Sequence, residues 1–250
     1  MVTPKMSTAK PQLVIMDDLS GFHNRDLSAS VQRLEQAQSY QDLSTICVIP
    51  ALRTMPSKVT QSWMSMMTPM NQKFIRLFIY DMEVGEAYNS AINFILNHPD
   101  LSKWRYVLTM ETDNMPPPDG VLKLYENMKD FDVVGGLYWT KGEGGQPMIY
   151  GDPHAMPLNF IPQKPIANTL QPCMGLGMGF DLFKLSIFKD KRLQQPFFKT
   201  LQECNPQQGG ARSYTQDLYF FEKIHALGYK VACDTRVKVG HYDSDRDMVW

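Results

Sequence analysis

Apolar and polar positions along the chain change their period at about residue 45, and that change divides the sequence. Before it, a polar lead and a short LVIM run are followed by Asp26 to Tyr40, where Leu27, Val31, Leu34 and Ala37 recur at helical spacing. Residues 1–44 are therefore expected to form a helical extension. From Thr45 onward short apolar runs alternate with amphipathic ones. TICVIP reads as a buried strand, Ser57 to Met67 as a helix and KFIRLFIYD as a second strand. Gly85 to Leu96 places Ala87, Ala91 and Ile95 on one helical stripe, and Pro99 requires that helix to have ended. Trp104 to Met110 is a third strand. Asp119 caps a helix carrying Val121, Leu124 and Met128, FDVVGGLYW is a fourth strand, and Leu218, Phe221, Ile224 and Leu227 stripe a last helix before VKVG. Strand and helix in alternation predict an α/β domain over residues 45–250, with a mainly parallel central sheet flanked by helices.

Composition narrows the class without naming a partner. The 250 residues suffice for a sizeable core, and 43% apolar with 20% charged residues is an ordinary globular balance. The net charge of −1 gives no overall field for a polyanion. The C-terminal third does concentrate Lys189, Lys191, Arg192, Arg212, Lys223, Lys230, Arg236 and Lys238, either a local polyanion patch or a solvated face. No apolar run approaches the roughly 18 residues a membrane helix needs, and the N-terminal apolar block is too short for a signal sequence. Cys47, Cys173, Cys204 and Cys233 form no CxxC pair, which suits free thiols in a reducing compartment. A cytoplasmic location is expected.

Ligands of open parallel sheets bind beyond the carboxyl ends of the strands, and there the sequence becomes specific. The strand WRYVLTM runs into Glu111, Thr112, Asp113 and Asn114 before three prolines, an acidic pair able to meet a hard divalent cation shared with phosphates. Gly175, Gly177 and Gly179 form a glycine motif that lets a ligand, or a tight bend, come close to the backbone. Asp217 opens the last helix, and His241 follows the last strand. Each of these has a bland reading: a solvated loop, a bend, a first-turn acid favoured by the helix dipole, a structural histidine. The stripe Trp63, Met64, Met66, Met67 and Met70 reads as packed core or as a docking face.

In their order along the chain these signals resemble a glycosyltransferase of the GT-A fold, similar to the family 2 group and its phage and bacterial relatives. The matching pieces are VIPALR, VLTMETDNMPPPDGVLKLYENM, DVVGGLYW, CMGLGMGFDLFKLSIF and TQDLYFFEKIHALGYKVACDTRVKVGH, covering about four-fifths of the chain. The resemblance implies that Asp113, supported by Glu111 and completed by His241, holds Mn²⁺ or Mg²⁺ on the diphosphate of a nucleotide-sugar donor. It implies Asp217 as general base of an inverting transfer. Pro50, Ala51, Arg53 and Asp81 would adjoin the nucleotide, while Gly177, Met178 and Gly179 would border the donor sugar and the acceptor. Two departures stand out: the DxD motif begins with Glu, and Gln216 replaces one acid of the usual pair before Asp217. The acceptor is expected to be a glycan, a protein or a hydroxymethylated phage DNA base. Two alternatives keep part of this chemistry, a sugar-nucleotide-binding module without turnover and a nucleotidyltransferase. ALRTMPSK lacks the glycine-rich loop that the nucleotidyltransferase requires.

Overall fold

The computed structural model describes residues 12–15, 41–152, 160–205 and 210–250. Its centre is an eight-stranded sheet. In chain order its strands are β1 (Gln12–Ile15), β2 (Thr45–Ala51), β3 (Phe74–Tyr80), β4 (Tyr106–Met110), β6 (Val133–Leu137), β8 (Leu170–Cys173), β10 (Phe180–Lys184) and β13 (Val231–Lys238). Their spatial order is β1-β3-β2-β4-β10-β6-β13-β8. β3, β2, β4, β6 and β13 point one way, and β1, β10 and β8 run against them. The sheet is mainly parallel, as expected, with three strands set against that direction. The reason lies in the connections, because parallel neighbours need a crossover and antiparallel ones do not. β10 arrives through the irregular segment after β6, which has no helix among its described residues, and so enters between β4 and β6 in the opposite sense.

Among the described residues four helices complete the layers: α1 (Ser57–Ser65), α2 (Val84–Asn97), α3 (Gly120–Glu126) and α4 (Gln216–Ala226). The period-2 geometry of the strands separates two cores. Ile46 and Val48 of β2 pack with Tyr88, Ala91 and Ile95 of α2 and with Phe220, Phe221 and Ile224 of α4. Cys47 and Ile49 face the other way, toward Val59 and Trp63 of α1 and Val121 and Leu124 of α3. A strand buried on both faces must be apolar throughout, which is why TICVIP carries no alternation.

Several expectations are adjusted. Within the expected N-terminal extension, Gln12–Ile15 adds an antiparallel edge to β3, with Ile15 opposite Leu77; the helix read over Asp26 to Tyr40 lies outside the described residues. α1 stops at Ser65, two residues before the predicted end, and the methionine stripe divides: Trp63 and Met66 are buried, whereas Met64 and Met70 are more than four-fifths exposed. Asp119 stands at the N-cap of α3 without capping it and pairs instead with Lys123 at 2.7 Å. In α4 the buried face is Asp217, Phe220, Phe221 and Ile224, rotated from the predicted stripe toward Asp217. Cys47, Cys173 and Cys233 are buried and carry no disulfide; the side chain of Cys204 lies outside the described residues. No helix among the described residues is long and apolar enough to cross a membrane.

Small additions shape the carboxyl end of the sheet. β5 (Asn114–Met115) pairs with β14 (Gly240–Asp243), which pairs with β15 (Met248–Val249). β7 (Ile149–Tyr150) pairs with β9 (Gly175–Leu176), and β11 (Leu201–Asn205) with β12 (Gly210–Tyr214).

Candidate functional site

The tip of β4 is joined to the end of the chain by the β5–β14 pair, in which His241 stands opposite Asn114 and the Tyr242 amide donates to the Asp113 carbonyl at 2.7 Å. That pairing brings residues 128 positions apart, Asp113 and His241, to one place, with His241 Nε2 3.3 Å from Asp113 Oδ2. The ring is fixed from its other side. Nδ1 lies 2.7 Å from the Trp139 carbonyl, which can only accept, so Nδ1 carries a hydrogen. A neutral His241 then turns the lone pair of Nε2 toward a carboxylate, an arrangement that calls for a cation between them or a proton on the ring.

Asp113 also accepts from Lys141 Nζ at 2.5 Å. Burial pushes its carboxyl up, but the hydrogen bonds from His241 and Lys141 outweigh that and hold it below the usual carboxylate range. Glu111 responds oppositely. Burial raises its carboxyl to about 7, with the negative charges of Asp113 and Asp217 adding to the effect and His241 opposing it. The Tyr88 hydroxyl on α2 donates to Glu111 at 3.4 Å. Among the described residues no three His, Cys, Asp or Glu side chains form a group able to hold a metal ion. Of the predicted ligand set, the structure brings Asp113 and His241 together and leaves Glu111 on Tyr88.

Asp217, in the first turn of α4, is buried, with 6% of its surface exposed. Desolvation raises its carboxyl, and the Leu218 amide, donating at 2.9 Å, opposes the rise. Its charge is felt at Glu111, so the candidate base and the acidic strand tip share one electrostatic neighbourhood. Pro50 and Ala51 close β2. Just beyond, Arg53 Nε donates to Asp81 Oδ1 at 3.2 Å, joining two residues predicted for the nucleotide loop; Asp81 adopts a left-handed φ of 62° at the end of β3.

The glycine motif is buried, and the groups that approach it belong to the chain. A Cβ on Gly177 would lie 2.2 Å from the Tyr138 hydroxyl, and one on Gly179 2.5 Å from Asn114 Oδ1. The Gly179 amide donates to the Tyr138 hydroxyl at 2.9 Å, and Met178 between them is 2% exposed. The basic residues of the C-terminal third are in part neutralised locally: Arg192 by Asp190 at 2.6 Å, Arg236 by Asp234 at 2.6 Å and Glu126 at 2.9 Å, and Lys223 against the Gln194 and Pro196 carbonyls.

Sequence reasoning passed over four groups. Tyr88 and Tyr138 are the hydroxyls around Glu111 and the glycine motif, and Lys141 is the cation on Asp113. Asp181 is fully buried, and neither carboxyl oxygen has a hydrogen-bond partner. Its signal was present in the sequence, since an acid between Phe180 and Leu182 in an apolar strand is out of place.

The chain matches no protein-family model and no curated protein. Fold and site together define a mixed-sheet α/β protein with an acidic strand tip and a convergent histidine. Among solved structures it is similar to A197 from STIV, with a TM-score of 0.58 over 83% of this chain and 93% of A197, at 15% identity. At that identity the likeness concerns the fold.

Proposed function

We propose that the protein is a glycosyltransferase that moves a sugar from a nucleotide-diphosphate donor to an acceptor hydroxyl, inverting the anomeric centre, with Asp217 as general base. The observation that carries this reading is the gathering of Asp113, His241, Glu111 and Asp217 at the carboxyl end of the sheet. The resemblance of its motifs to GT-A enzymes supports it.

In this reading Asp113 and His241, with Glu111 behind them, would hold Mn²⁺ or Mg²⁺. When bound, such an ion would supply positive charge against the charge of the leaving diphosphate. The remaining work belongs to side chains. The Trp139 carbonyl fixes the His241 ring so that Nε2 faces Asp113. Asp217 takes the proton of the attacking hydroxyl, and burial, by raising its carboxyl, makes it a stronger base than a solvated aspartate. Arg53 and Asp81 border the nucleotide. The acceptor is a glycan, a protein or a hydroxymethylated DNA base, met in the cytoplasm.

The test is a thermal-shift screen of nucleotide sugars with Mn²⁺, Mg²⁺ or a chelator, followed by donor hydrolysis and transfer assays. A donor at 100 times its Kd is expected to stabilise the protein by about 2.7 kcal/mol. No shift with any nucleotide sugar under any ion condition would overturn the reading. Binding without hydrolysis or transfer would replace the enzyme by a sugar-nucleotide-binding module.

A further inference from the structure

Lys141 is the second residue of a turn that the backbone holds closed. The Thr140 amide donates to the Gln146 carbonyl and the Gln146 amide to the Thr140 hydroxyl, both at 2.9 Å, and the Gly145 amide donates to the Gly142 carbonyl at 3.1 Å. Gly142 and Gly144 have φ of +100° and +74°, and a Cβ on Gly145 would lie 2.4 Å from the Thr140 carbonyl. The turn is therefore built on glycine, and the Lys141 backbone keeps its place beside the tip of β4. Only the side chain, four carbons long, is free to swing.

That side chain rests on Asp113 Oδ2, the oxygen that also faces His241 Nε2. An ammonium and a divalent ion cannot share this seat, because both need the same oxygen lone pairs and repel each other. We propose that Lys141 is the resident cation of the Asp113–His241 seat and a phosphate-binding residue: it gives up Asp113 to an arriving divalent ion and turns to the anionic oxygens of the donor. The inference rests on the proposed function and deepens it, adding a residue that couples ion binding to donor binding. Electroneutrality argues for the exchange. Asp113 alone balances one charge, so a divalent ion together with Lys141 leaves an excess of positive charge that a diphosphate matches.

Competition makes the proposal measurable without turnover. Breaking a charged hydrogen bond to Asp113 is part of the cost of ion binding in the parent protein, so Lys141→Met is expected to bind Mn²⁺ about tenfold more tightly in the absence of donor. The readout is free Mn²⁺ by electron paramagnetic resonance. With Mg²⁺ present, the same variant is expected to bind UDP, GDP, ADP and CDP more weakly than the parent by calorimetry, for whichever of these the parent binds. Lys141→Arg, which keeps the charge, should stay near the parent in both assays. Lys141 is at the surface, so melting temperatures should agree and confirm that the variants fold. Mn²⁺ affinity that is equal or lower in Lys141→Met overturns the role of Lys141, and leaves the glycosyltransferase reading standing if Asp113→Ala abolishes ion binding. Failure of every form, the parent included, to bind Mn²⁺ or any of the nucleotides overturns both.

Discussion

Replacing Asp181 by Asn tests whether a buried acid is held protonated beneath the site. Asp181 lies on β10 between Thr109 of β4 and Gly135 of β6, on the face covered by α2 and α4, and neither carboxyl oxygen has a hydrogen-bond partner. Burial raises its pKa well above the ordinary value of 3.8, and the charges of Asp217 and Glu111 add to the rise; Tyr88, Tyr138, Cys173 and Cys233 also lie within its electrostatic reach. The sign follows directly. Below the unfolded pKa both states are protonated and Asp181 contributes no pH dependence. As pH rises above that point the unfolded chain ionises while the folded protein keeps its proton, so stability falls by about 1.4 kcal/mol per pH unit until the folded pKa is reached. Asn cannot ionise, and that slope should vanish in Asp181→Asn. Its amide brings a donor into the same unpartnered pocket, a pH-independent cost of about 1–3 kcal/mol. The diagnostic is therefore the slope and not the offset. Urea denaturation of both proteins at pH 5 and pH 6 should show the parent losing about 1.4 kcal/mol more than the variant over that unit. Parallel profiles would refute a protonated Asp181.

Three further outcomes follow from the geometry. Asp113→Ala should leave the melting temperature nearly unchanged, because the residue is a partly exposed loop acid, while abolishing ion-dependent donor binding in calorimetry; His241→Ala should weaken ion affinity without changing which donor is preferred. Gly135→Ala would place a Cβ 1.9 Å from Asp181 Oδ1 and 2.7 Å from Leu176 Cδ1, and should cost at least about 1–3 kcal/mol in denaturant melts, part of it recovered in the double variant with Asp181→Ala. Asp217→Asn should retain donor binding and lose about 10²–10⁴-fold in transfer, whereas near-normal transfer would remove Asp217 as the base.

Legibility in the sequence followed the physics of each element. β2, β3 and α2 could be read to within a few residues because burial on both faces, or one strong 3.6-residue stripe, leaves little choice of pattern. The direction of β10 was not readable, since strand periodicity is the same for parallel and antiparallel neighbours and only the missing crossover helix decides. At the site, Glu111 and Asp113 could be found because acids at the end of an apolar strand break its pattern. Lys141 could not, because a lysine in a glycine-rich turn is ordinary surface chemistry until the fold sets it against Asp113. The glycine motif shows a further limit. Its spacing marks a close approach without saying what approaches, and Tyr138 and Asn114 do so here.

The acids explain one another. The charge of Asp217 is felt at Glu111, and the charges of both at Asp181, in a region that α2 and α4 close off, and the carboxyl pKa of each is raised by burial. Three carboxyls in such a place disfavour ionisation, and the fold loses stability by keeping them, since apolar residues of like size would pack there at lower cost. A stability argument alone would have removed them. Set beside Asp113, Asp217 shows graded basicity: Asp113, paired with cations, is held below the usual carboxylate range, while Asp217, desolvated, holds a proton more strongly once it has taken one. That division into one anionic seat and one proton acceptor is what the proposed transfer to a hydroxyl would require, and environment creates the difference from similar side chains. Gly135 belongs to the same arrangement. It sits directly opposite Asp181 on β6, and the missing side chain is the space that the buried acid occupies.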